Sequence, residues 1–114
     1  MRNENISGSD RPSVAEMVED VVGCKWSMRV LALVESGISR PGAMERAVEG
    51  LSAKVLNERL SKLTRYGVLS KTVYPEVPPR VEYSLTEFGR SFSTVLEEIK
   101  RLQASLEAHG AAPR

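Results

Sequence analysis

The sequence predicts a single domain with a mostly helical α+β fold. Three observations predict it: apolar residues recur at helical spacing over most of the chain, this spacing gives way once to the alternation of a strand pair, and one long amphipathic segment closes the sequence. A chain of 114 residues has room for one core. Its hydrophobic and charged shares, 41% and 27%, are those of an ordinary soluble protein.

The composition argues against a membrane or secreted protein. No apolar run approaches the roughly 20 residues that a membrane-spanning helix needs. Residues 1–10 are polar and lack the apolar stretch of a secretory signal. The one cysteine, Cys24, has no second cysteine for an internal disulfide, which suits a reducing compartment. We therefore expect a cytoplasmic protein with no membrane partner.

The first two helices follow a polar arm. Residues 1–12 are polar and end at a proline, so we expect them to be disordered. Ser13 and Glu16 have the spacing of a capping box, which predicts a helix over residues 13–22. A second helix is predicted over residues 25–36, with most of its apolar residues buried.

Next come two helices joined by a tight turn. Pro41 suits the opening turn of a helix, which we predict over residues 41–48. The glycine in the turn at residues 49–51 allows the chain to reverse sharply. Ser52 then caps a helix that runs to about residue 66. The inner stripe of this helix is apolar, and its outer face carries Lys54, Asn57, Glu58, Ser61, Lys62 and Arg65.

A β-hairpin follows, because the apolar spacing changes to that of strands. Residues 68–74 are rich in β-branched side chains, and residues 81–85 alternate between apolar and polar. Prolines at positions 75, 78 and 79 stiffen the segment between them and keep it out of a hydrogen-bonded ladder. The pattern therefore predicts a hairpin with a rigid tip.

The last element is a long helix over residues 86–107, with Thr86 as its cap. Its apolar residues are spaced by four and three in turn, which is the heptad of a helix that packs along another helix. The three middle helices already fill the core of so small a domain, so we expect a second chain to cover much of this seam. Residues 109–114 are expected to fray. The seam consists of Phe88, Phe92, Val95, Ile99, Leu102 and Leu106.

This order of elements is that of a winged helix-turn-helix with dimerisation helices at both ends, in a domain over residues 13–108. Such a motif lays its second helix in the major groove of double-stranded DNA. The net charge of +1 does not by itself support DNA binding. However, residues 52–65 carry four basic residues and one acidic residue, whereas residues 13–22 carry three acidic residues and no basic one. This asymmetry places positive charge on the helix that would read DNA.

The predicted DNA contacts lie on this recognition helix and on the hairpin, or wing. Asn57 is the best candidate for specificity, because asparagine can make a bidentate contact to adenine. Lys62 and Arg65 lie further along the helix and are expected to meet phosphates. Arg80 is expected to reach the adjacent minor groove, whose narrow form favours arginine. The full set is Ser52, Ala53, Lys54, Asn57, Glu58, Ser61, Lys62 and Arg65 on the helix, with Tyr74, Pro79 and Arg80 on the wing.

Three of these residues also have a purely structural interpretation. Ser52 would cap its helix whether or not it touches DNA, so we expect the capping role first. Asn57 would also suit a solvent-exposed helix face that makes no contact with DNA. Glu58 could accept a hydrogen bond from cytosine, but we expect it to pair with Lys62, four residues further along the helix.

The candidate dimer contacts are apolar residues of the first, second and last helices. Trp26 is most simply a residue of the core or of the dimer interface. The alternative is that Trp26 lines a pocket for a small effector. The candidates are Val14, Met17, Trp26, Phe92, Val95, Ile99, Leu102 and Leu106.

Three segments closely resemble the HxlR family of bacterial transcriptional regulators. They are Gly23-Cys24-Lys25-Trp26, residues 51–60 (LSAKVLNERL), and residues 74–86 (YPEVPPRVEYSLT) followed by Phe88-Gly89-Arg90-Ser91. The resemblance covers about residues 13–106 and is most specific in the wing. It implies a MarR-like homodimer that binds palindromic or near-palindromic operators. It also implies a local regulator, often a repressor of adjacent genes and sometimes an activator, that responds to a small-molecule or stress signal.

The sequence departs from this family at three positions. Many members that sense oxidants, quinones or aldehydes use a cysteine just before the first helix, where this chain has Ser13. Cys24 stands where the family usually has a glycine. It is more simply a small packed residue, but Lys25 and a helix N-terminus could favour its thiolate, so it is also a candidate sensor. Pro41 replaces an aromatic or aliphatic residue, which could shift the start of its helix.

Other classes of function fit the sequence less well. An enzyme is not expected, because Cys24 and His109 lie at opposite ends of the fold and cannot form a nucleophile–base pair. No metal-ligand cluster or glycine-rich phosphate loop occurs in the sequence, so no metal or cofactor is expected. One alternative is a winged-helix protein–protein interaction module without DNA binding. Another is a regulator gated by an effector between the helix at 25–36 and the dimer helices, which would add to DNA binding.

Overall fold

The computed structural model describes residues 12–109 and, within them, has five helices and a two-stranded antiparallel sheet. The expected disordered arm, except Pro12, and the expected frayed tail after His109 lie outside the described residues. The bounds of every element agree with the predicted ones to within one residue. No helix within residues 12–109 is long and apolar enough to cross a membrane. In chain order the elements are α1 (Val14–Val22), α2 (Lys25–Glu35), α3 (Pro41–Ala47), α4 (Ala53–Arg65), β1 (Leu69–Tyr74), β2 (Arg80–Leu85) and α5 (Glu87–Ala108).

One hydrophobic core joins all five helices to the base of the hairpin. Met44 of α3 is fully buried, and so is Val68 just before β1, so neither the short helix nor the hairpin is a separate unit. The inner faces of α2 and α4 form the centre of this core, as their apolar spacing predicted. Their buried apolar residues are Val30, Leu31, Val34, Leu56, Leu60 and Leu63.

Side-chain caps fix where the helices begin. The Ser13 hydroxyl accepts a hydrogen bond from the Glu16 amide at 3.1 Å, and the Glu16 carboxylate accepts one from the Ser13 amide at 2.9 Å. This reciprocal pair confirms the predicted capping box. The Ser52 hydroxyl accepts from the Val55 amide at 3.1 Å, which confirms the predicted cap of α4.

The junction of α4, β1 and α5 depends on two glycines and a threonine. Gly67 ends α4 with a φ of +82°, in the left-handed region that glycine adopts without strain. The Thr86 hydroxyl accepts from the Gly89 amide at 2.8 Å and donates to the Gly67 carbonyl at 2.5 Å. A Cβ on Gly89 would lie 2.0 Å from the carbonyl oxygen of Val68. Therefore α5 can lie this close to the hairpin only because position 89 has no side chain.

The hairpin is paired along its whole length and attached to the domain at its base. Its register runs from Leu69 opposite Leu85 to Tyr74 opposite Arg80. The amide of Tyr83 donates to the carbonyl of Ser39 at 2.8 Å, which ties β2 to the link between α2 and α3. The direction of the wing is therefore set by the same core that holds α4.

The predicted dimer contacts divide into buried and exposed residues. Phe92 of α5 and Met17 of α1 are each only 2% exposed and belong to the core of their own chain, so they do not present a surface to a partner. The prediction missed this because α5 closes the domain's core with Phe92 and with Leu96, which lies outside the heptad. Trp26 and Ile99 are half-buried. The remaining candidates are exposed: Val14, Val95, Leu102 and Leu106.

Candidate nucleic-acid interface

The orientation of α4 is fixed by the turn before it and by the core behind it. Gly50 has a φ of +89°, and this left-handed conformation reverses the chain after α3. Leu51 is 6% exposed and anchors the turn in the core. Because the leucines of α4 are fully buried on one side, its opposite side must face away from the protein.

The outward side of α4 carries almost all the predicted contacts of the recognition helix. Its outer residues form a shallow, open depression between Asn57 and Arg65. The first turn of α4 contains no acidic residue that would oppose an approaching anion. Lys62 differs from the others in being half-buried. The exposed residues are Ser52, Ala53, Lys54, Asn57, Glu58, Ser61 and Arg65.

Glu58 pairs in the opposite direction to the one predicted. Its carboxylate lies 3.7 Å from Lys54 Nζ, one turn towards the N-terminus, and 4.0 Å from Arg59 Nη1. The predicted pair with Lys62 is wrong, because Lys62 has a partner on another helix. Glu58 therefore offsets part of the positive charge at the front of α4.

The partner of Lys62 is Asp20 on α1. Lys62 Nζ lies 3.1 Å from Asp20 Oδ2 and 3.3 Å from Oδ1, and the hydroxyl of Tyr66 donates a short hydrogen bond to the same carboxylate. Lys62, which we expected to meet phosphates, is thus held at the side of the helix that faces α1. Arg65 remains exposed at the rear of α4.

The environment of this cluster shifts two pKa values in opposite directions. The hydrogen bond from Tyr66, followed by the hydrogen bond and charge of Lys62, lowers the pKa of Asp20 below its ordinary 3.8 despite partial burial. Burial and then the hydrogen bond to Asp20 raise the pKa of Tyr66 to about 12. Both shifts favour the charged carboxylate and the neutral phenol found together in this cluster.

Sequence reasoning missed Asp20 and Tyr66, which lie beside the recognition helix but are 46 positions apart. No local pattern joins residues at that separation. The available signal was that Asp20 lies three positions after Met17 on α1. A residue at that spacing from a core residue sits on the same side of a helix, near the neighbouring elements.

The predicted wing contacts come together at the tip of the hairpin, beside the loop that joins β1 to β2. The guanidinium carbon of Arg80 lies 3.9 Å from the ring centroid of Tyr74, its partner across the strands. Arg80 Nη2 is 3.3 Å from Glu76 Oε2, and its Nε is 3.7 Å from Glu82 Oε2. Pro79 is exposed beside it. Arg80 therefore lies over an aromatic ring, with its charge shared by two carboxylates.

Cys24 has a structural role as the cap of α2. Its sulfur accepts a hydrogen bond from the Ser27 amide at 3.4 Å. Burial raises the pKa of this thiol, but hydrogen bonds from Ser27 and the charge of Arg59 outweigh burial and bring the pKa below its ordinary 9.0. Its role as a sensor stays a prediction. Within residues 12–109, no three histidine, cysteine or acidic residues are grouped so that they could hold a metal ion.

The sequence of this chain is similar to those of known proteins. A family profile described as HxlR-like helix-turn-helix matches residues 21–109. An uncharacterized HTH-type transcriptional regulator of Synechocystis, sll1512, is 44% identical over 85 residues, which cover 75% of this chain and 63% of that protein. The uncharacterized HTH-type transcriptional regulator YkvN of Bacillus subtilis is 36% identical over 84 residues, covering 74% of this chain and 71% of YkvN. The matched segment thus spans less than two thirds of the first of these relatives.

The fold also matches a solved structure. A protein described as a transcriptional regulator of the MarR family, from Enterococcus faecalis V583, superposes with a TM-score of 0.75 over 96% of this chain and 98% of that chain. The two sequences are 23% identical, so this similarity concerns the fold alone. It confirms the predicted winged helix-turn-helix class.

Proposed function

The chain belongs to the family of HxlR-like helix-turn-helix proteins, and we propose that it is a homodimeric transcriptional regulator that binds a palindromic or near-palindromic operator. Its relatives are named as transcriptional regulators, and the chain is a regulator of this kind and not an enzyme. One observation carries the proposal: the capped helix α4 presents Lys54, Asn57, Ser61 and Arg65 on an open face, and the paired hairpin of the wing follows it in the chain. We propose that it acts in the cytoplasm as a repressor of neighbouring genes.

In this proposal the front of α4 reads bases and its rear binds the backbone. The amide of Asn57 can both donate to and accept from adenine in the major groove, and Lys54 can donate to guanine. Arg65, two turns further along, would contact a phosphate. Lys62 would contribute a phosphate contact only after leaving Asp20, from which it is 3.1 Å away.

The wing would follow the backbone into the adjacent minor groove. Arg80 is already ordered on Tyr74, so placing it in the groove costs little side-chain entropy. A narrow minor groove has a strong negative potential, which would compete with Glu76 and Glu82 for the guanidinium. Arg80 would then exchange its contact with Glu76 for DNA while keeping its position on the ring.

A homodimer would cover the apolar residues that the single chain leaves exposed. Leu102 and Leu106 of α5 are 70% and 50% exposed, and Val95 is 44% exposed. Val14 of α1 is 50% exposed as well. Leucines and valines repeated along one helix are typical of a helix–helix interface. Two subunits joined there would present their recognition helices about 34 Å apart, one turn of DNA.

A small-molecule effector would bind between α2 and the dimer helices. The groove at this place has room for about one water molecule in a single chain, so a partner's helix would have to complete the pocket. Thermal-shift screening of small aromatics, aldehydes and quinones tests this part, and a uniformly flat response would argue against it. The groove is lined by Met28, Leu31, Ala32, Glu35, Leu96, Glu97 and Lys100.

The main experiment measures DNA binding and the oligomeric state of the protein. Fluorescence anisotropy would follow binding of the full chain to a duplex from its own upstream region and to a scrambled duplex of equal length. We expect tighter binding to the upstream duplex, with affinity that falls steeply with salt because counterions are released. Sedimentation should give the mass of a dimer. No binding to either duplex at low salt would overturn the proposal in favour of a protein–protein module, and a monomeric mass would overturn its dimeric part.

A further inference from the structure

We propose that Lys25 and Arg29 of α2, held over the ring of Trp26, form a second DNA contact that grips the phosphate backbone beside the recognition helix. This inference rests on the proposed function. It assigns a backbone-binding role to a helix outside both the helix-turn-helix pair and the wing.

Both cations are ordered by the same aromatic ring. Lys25 Nζ lies 5.0 Å from the centroid of Trp26, and Arg29 Cζ lies 5.7 Å from it. Cations at such distances are attracted to the ring by roughly 0.5–1 kcal/mol at exposed sites. Lys25 and Arg29 are exposed while Trp26 is half-buried, so the ring favours positions in which both charged ends still face solvent.

Trp26 also places these charges beside the recognition helix. Its Cη2 atom lies 3.8 Å from the position that a Cβ of Gly50 would occupy, so the ring packs against the turn that leads into α4. At the cap of α2, the charge of Arg59 on α4 acts on Cys24. The N-terminal end of α2 therefore runs along the flank of α4, where the backbone of a bound duplex rises beside the major groove.

Within residues 12–109, neither cation of this site, Lys25 or Arg29, is paired with a carboxylate. The first turn of α2 has no acidic residue, whereas the first turns of α1 and α5 contain Glu16 and Glu87. The positive end of the helix dipole thus adds to two cations instead of being offset. A phosphodiester is the anion that a DNA-bound subunit would bring to this place.

The test is the salt dependence of DNA binding by the double variant Lys25→Gln, Arg29→Gln. A dimer would lose four cations, and each lost phosphate contact lowers the slope of log affinity against log salt by about 0.9, so we expect a slope smaller by about 3.6. The loss of affinity should be equal for the upstream and the scrambled duplex, because phosphates carry no sequence information.

A control removes the same net charge from α5. Arg90 and Arg101 are exposed on that helix, and Arg101 is already paired with Glu98 at 2.5 Å. The variant Arg90→Gln, Arg101→Gln has the same change in net charge and should keep the wild-type slope. Circular dichroism and sedimentation should show that both double variants fold and assemble like the wild type.

Tryptophan fluorescence gives a second readout, because Trp26 is the only tryptophan in the chain. Adding DNA should change its emission in the wild type and in the α5 control. The change should be much smaller in the Lys25→Gln, Arg29→Gln variant, measured at protein and DNA concentrations that saturate binding.

The outcomes separate the two proposals. If the wild type binds DNA but the α2 variant keeps its slope and its fluorescence change, the backbone contact is overturned and the proposed function stands. An equal loss of slope in the control would also overturn the contact, since net charge alone would explain it. If the wild type shows no salt-dependent binding, the proposed function fails and this inference fails with it.

Discussion

Asp20 of α1 and Lys62 of the recognition helix form a salt bridge, with Oδ2 and Nζ 3.1 Å apart. Tyr66 donates to the same carboxylate, so the cluster joins α1 to the C-terminal end of α4. In the free protein Asp20 thus occupies an ammonium group that a phosphate could otherwise bind. An acidic side chain of α1, a helix predicted to take part in dimerisation, thus forms a salt bridge with α4, the helix predicted to read DNA.

Replacing Asp20 by asparagine should strengthen DNA binding at low salt. The change frees Lys62 for a phosphate, and two freed lysines per dimer should increase the salt slope by about 1.8. The free energy of unfolding should fall by about 1 kcal/mol, because a partly exposed pair and a hydrogen bond are weakened. Anisotropy titrations at several salt concentrations measure the slope.

Two further variants show whether Lys62 carries that effect. In the variant Asp20→Asn, Lys62→Gln the gain in slope should disappear. Tyr66→Phe loses the hydrogen bond but keeps the salt bridge, so its stability should fall while its slope stays at the wild-type value. If the gain in slope persists without Lys62, then Asp20 and the DNA phosphates do not compete for the ammonium group of Lys62.

The same cluster predicts how stability depends on pH. The pKa of Asp20 in the folded chain is lower than its ordinary 3.8, so its contribution is present above pH 3.8 and is lost as the pH falls below that value. The pKa of Tyr66 is raised from 10.0 to about 12, so its contribution is present below pH 10 and is lost as the pH rises from 10 to 12. Urea unfolding across these ranges should show the acid loss reduced in Asp20→Asn and the alkaline loss reduced in Tyr66→Phe. Identical pH profiles for the wild type and both variants would refute this account.

Gly89→Ala should destabilise the chain severely. Its new methyl group would lie 2.0 Å from the carbonyl oxygen of Val68, so α5 and the hairpin must separate. We expect a loss of about 3 kcal/mol or more in the free energy of unfolding, measured with urea at fixed protein concentration. Gly42→Ala is the control, because its nearest neighbour is the flexible end of Arg46 at 3.5 Å. This second change should be neutral or stabilising by up to about 1 kcal/mol.

Leu102→Asp should convert the dimer to monomers without unfolding the domain. Leu102 is 70% exposed in the single chain, so the substitution removes little from the chain's own core but puts a charge into the proposed interface. DNA affinity should fall because the two half-sites are no longer bound together. Sedimentation and anisotropy measure these effects, and Gln103→Asp, at the next exposed position, should change neither. A Leu102→Asp protein that stays dimeric would place the interface elsewhere.

Asn57→Ala should relax the choice between sequences more than it weakens binding overall. The amide is exposed on α4 and is the group best suited to distinguish adenine, and one bidentate contact discriminates by about 1–3 kcal/mol. Affinities for the upstream duplex and for a set of single base-pair substitutions measure the change. Arg65→Ala is the comparison, since losing a phosphate contact should weaken all duplexes alike. Equal weakening across the set by both variants would remove Asn57 as a specificity residue.

Local patterns in the sequence determined the order and bounds of the helices and strands. Ser13 and Ser52 cap their helices as predicted because a cap involves residues only three positions apart. The outward face of α4 was predictable for a similar reason. Its buried leucines recur at helical spacing, so the residues between them must face solvent. The alternation of apolar and polar residues predicted the hairpin, and the family resemblance is most specific in residues 74–86 of this hairpin and its flank.

Only the tertiary structure decided which partner each charged and apolar side chain has. Lys62 pairs with Asp20, 42 positions away, instead of with Glu58 on its own helix. Phe92 has the spacing of an interface residue yet lies in its own core, because the position of α5 against the domain is fixed by the close contact at Gly89. Spacing along a helix gives the direction of a side chain but not what lies opposite it. The sequence therefore determined the faces of the elements, and packing of distant segments decided their contacts.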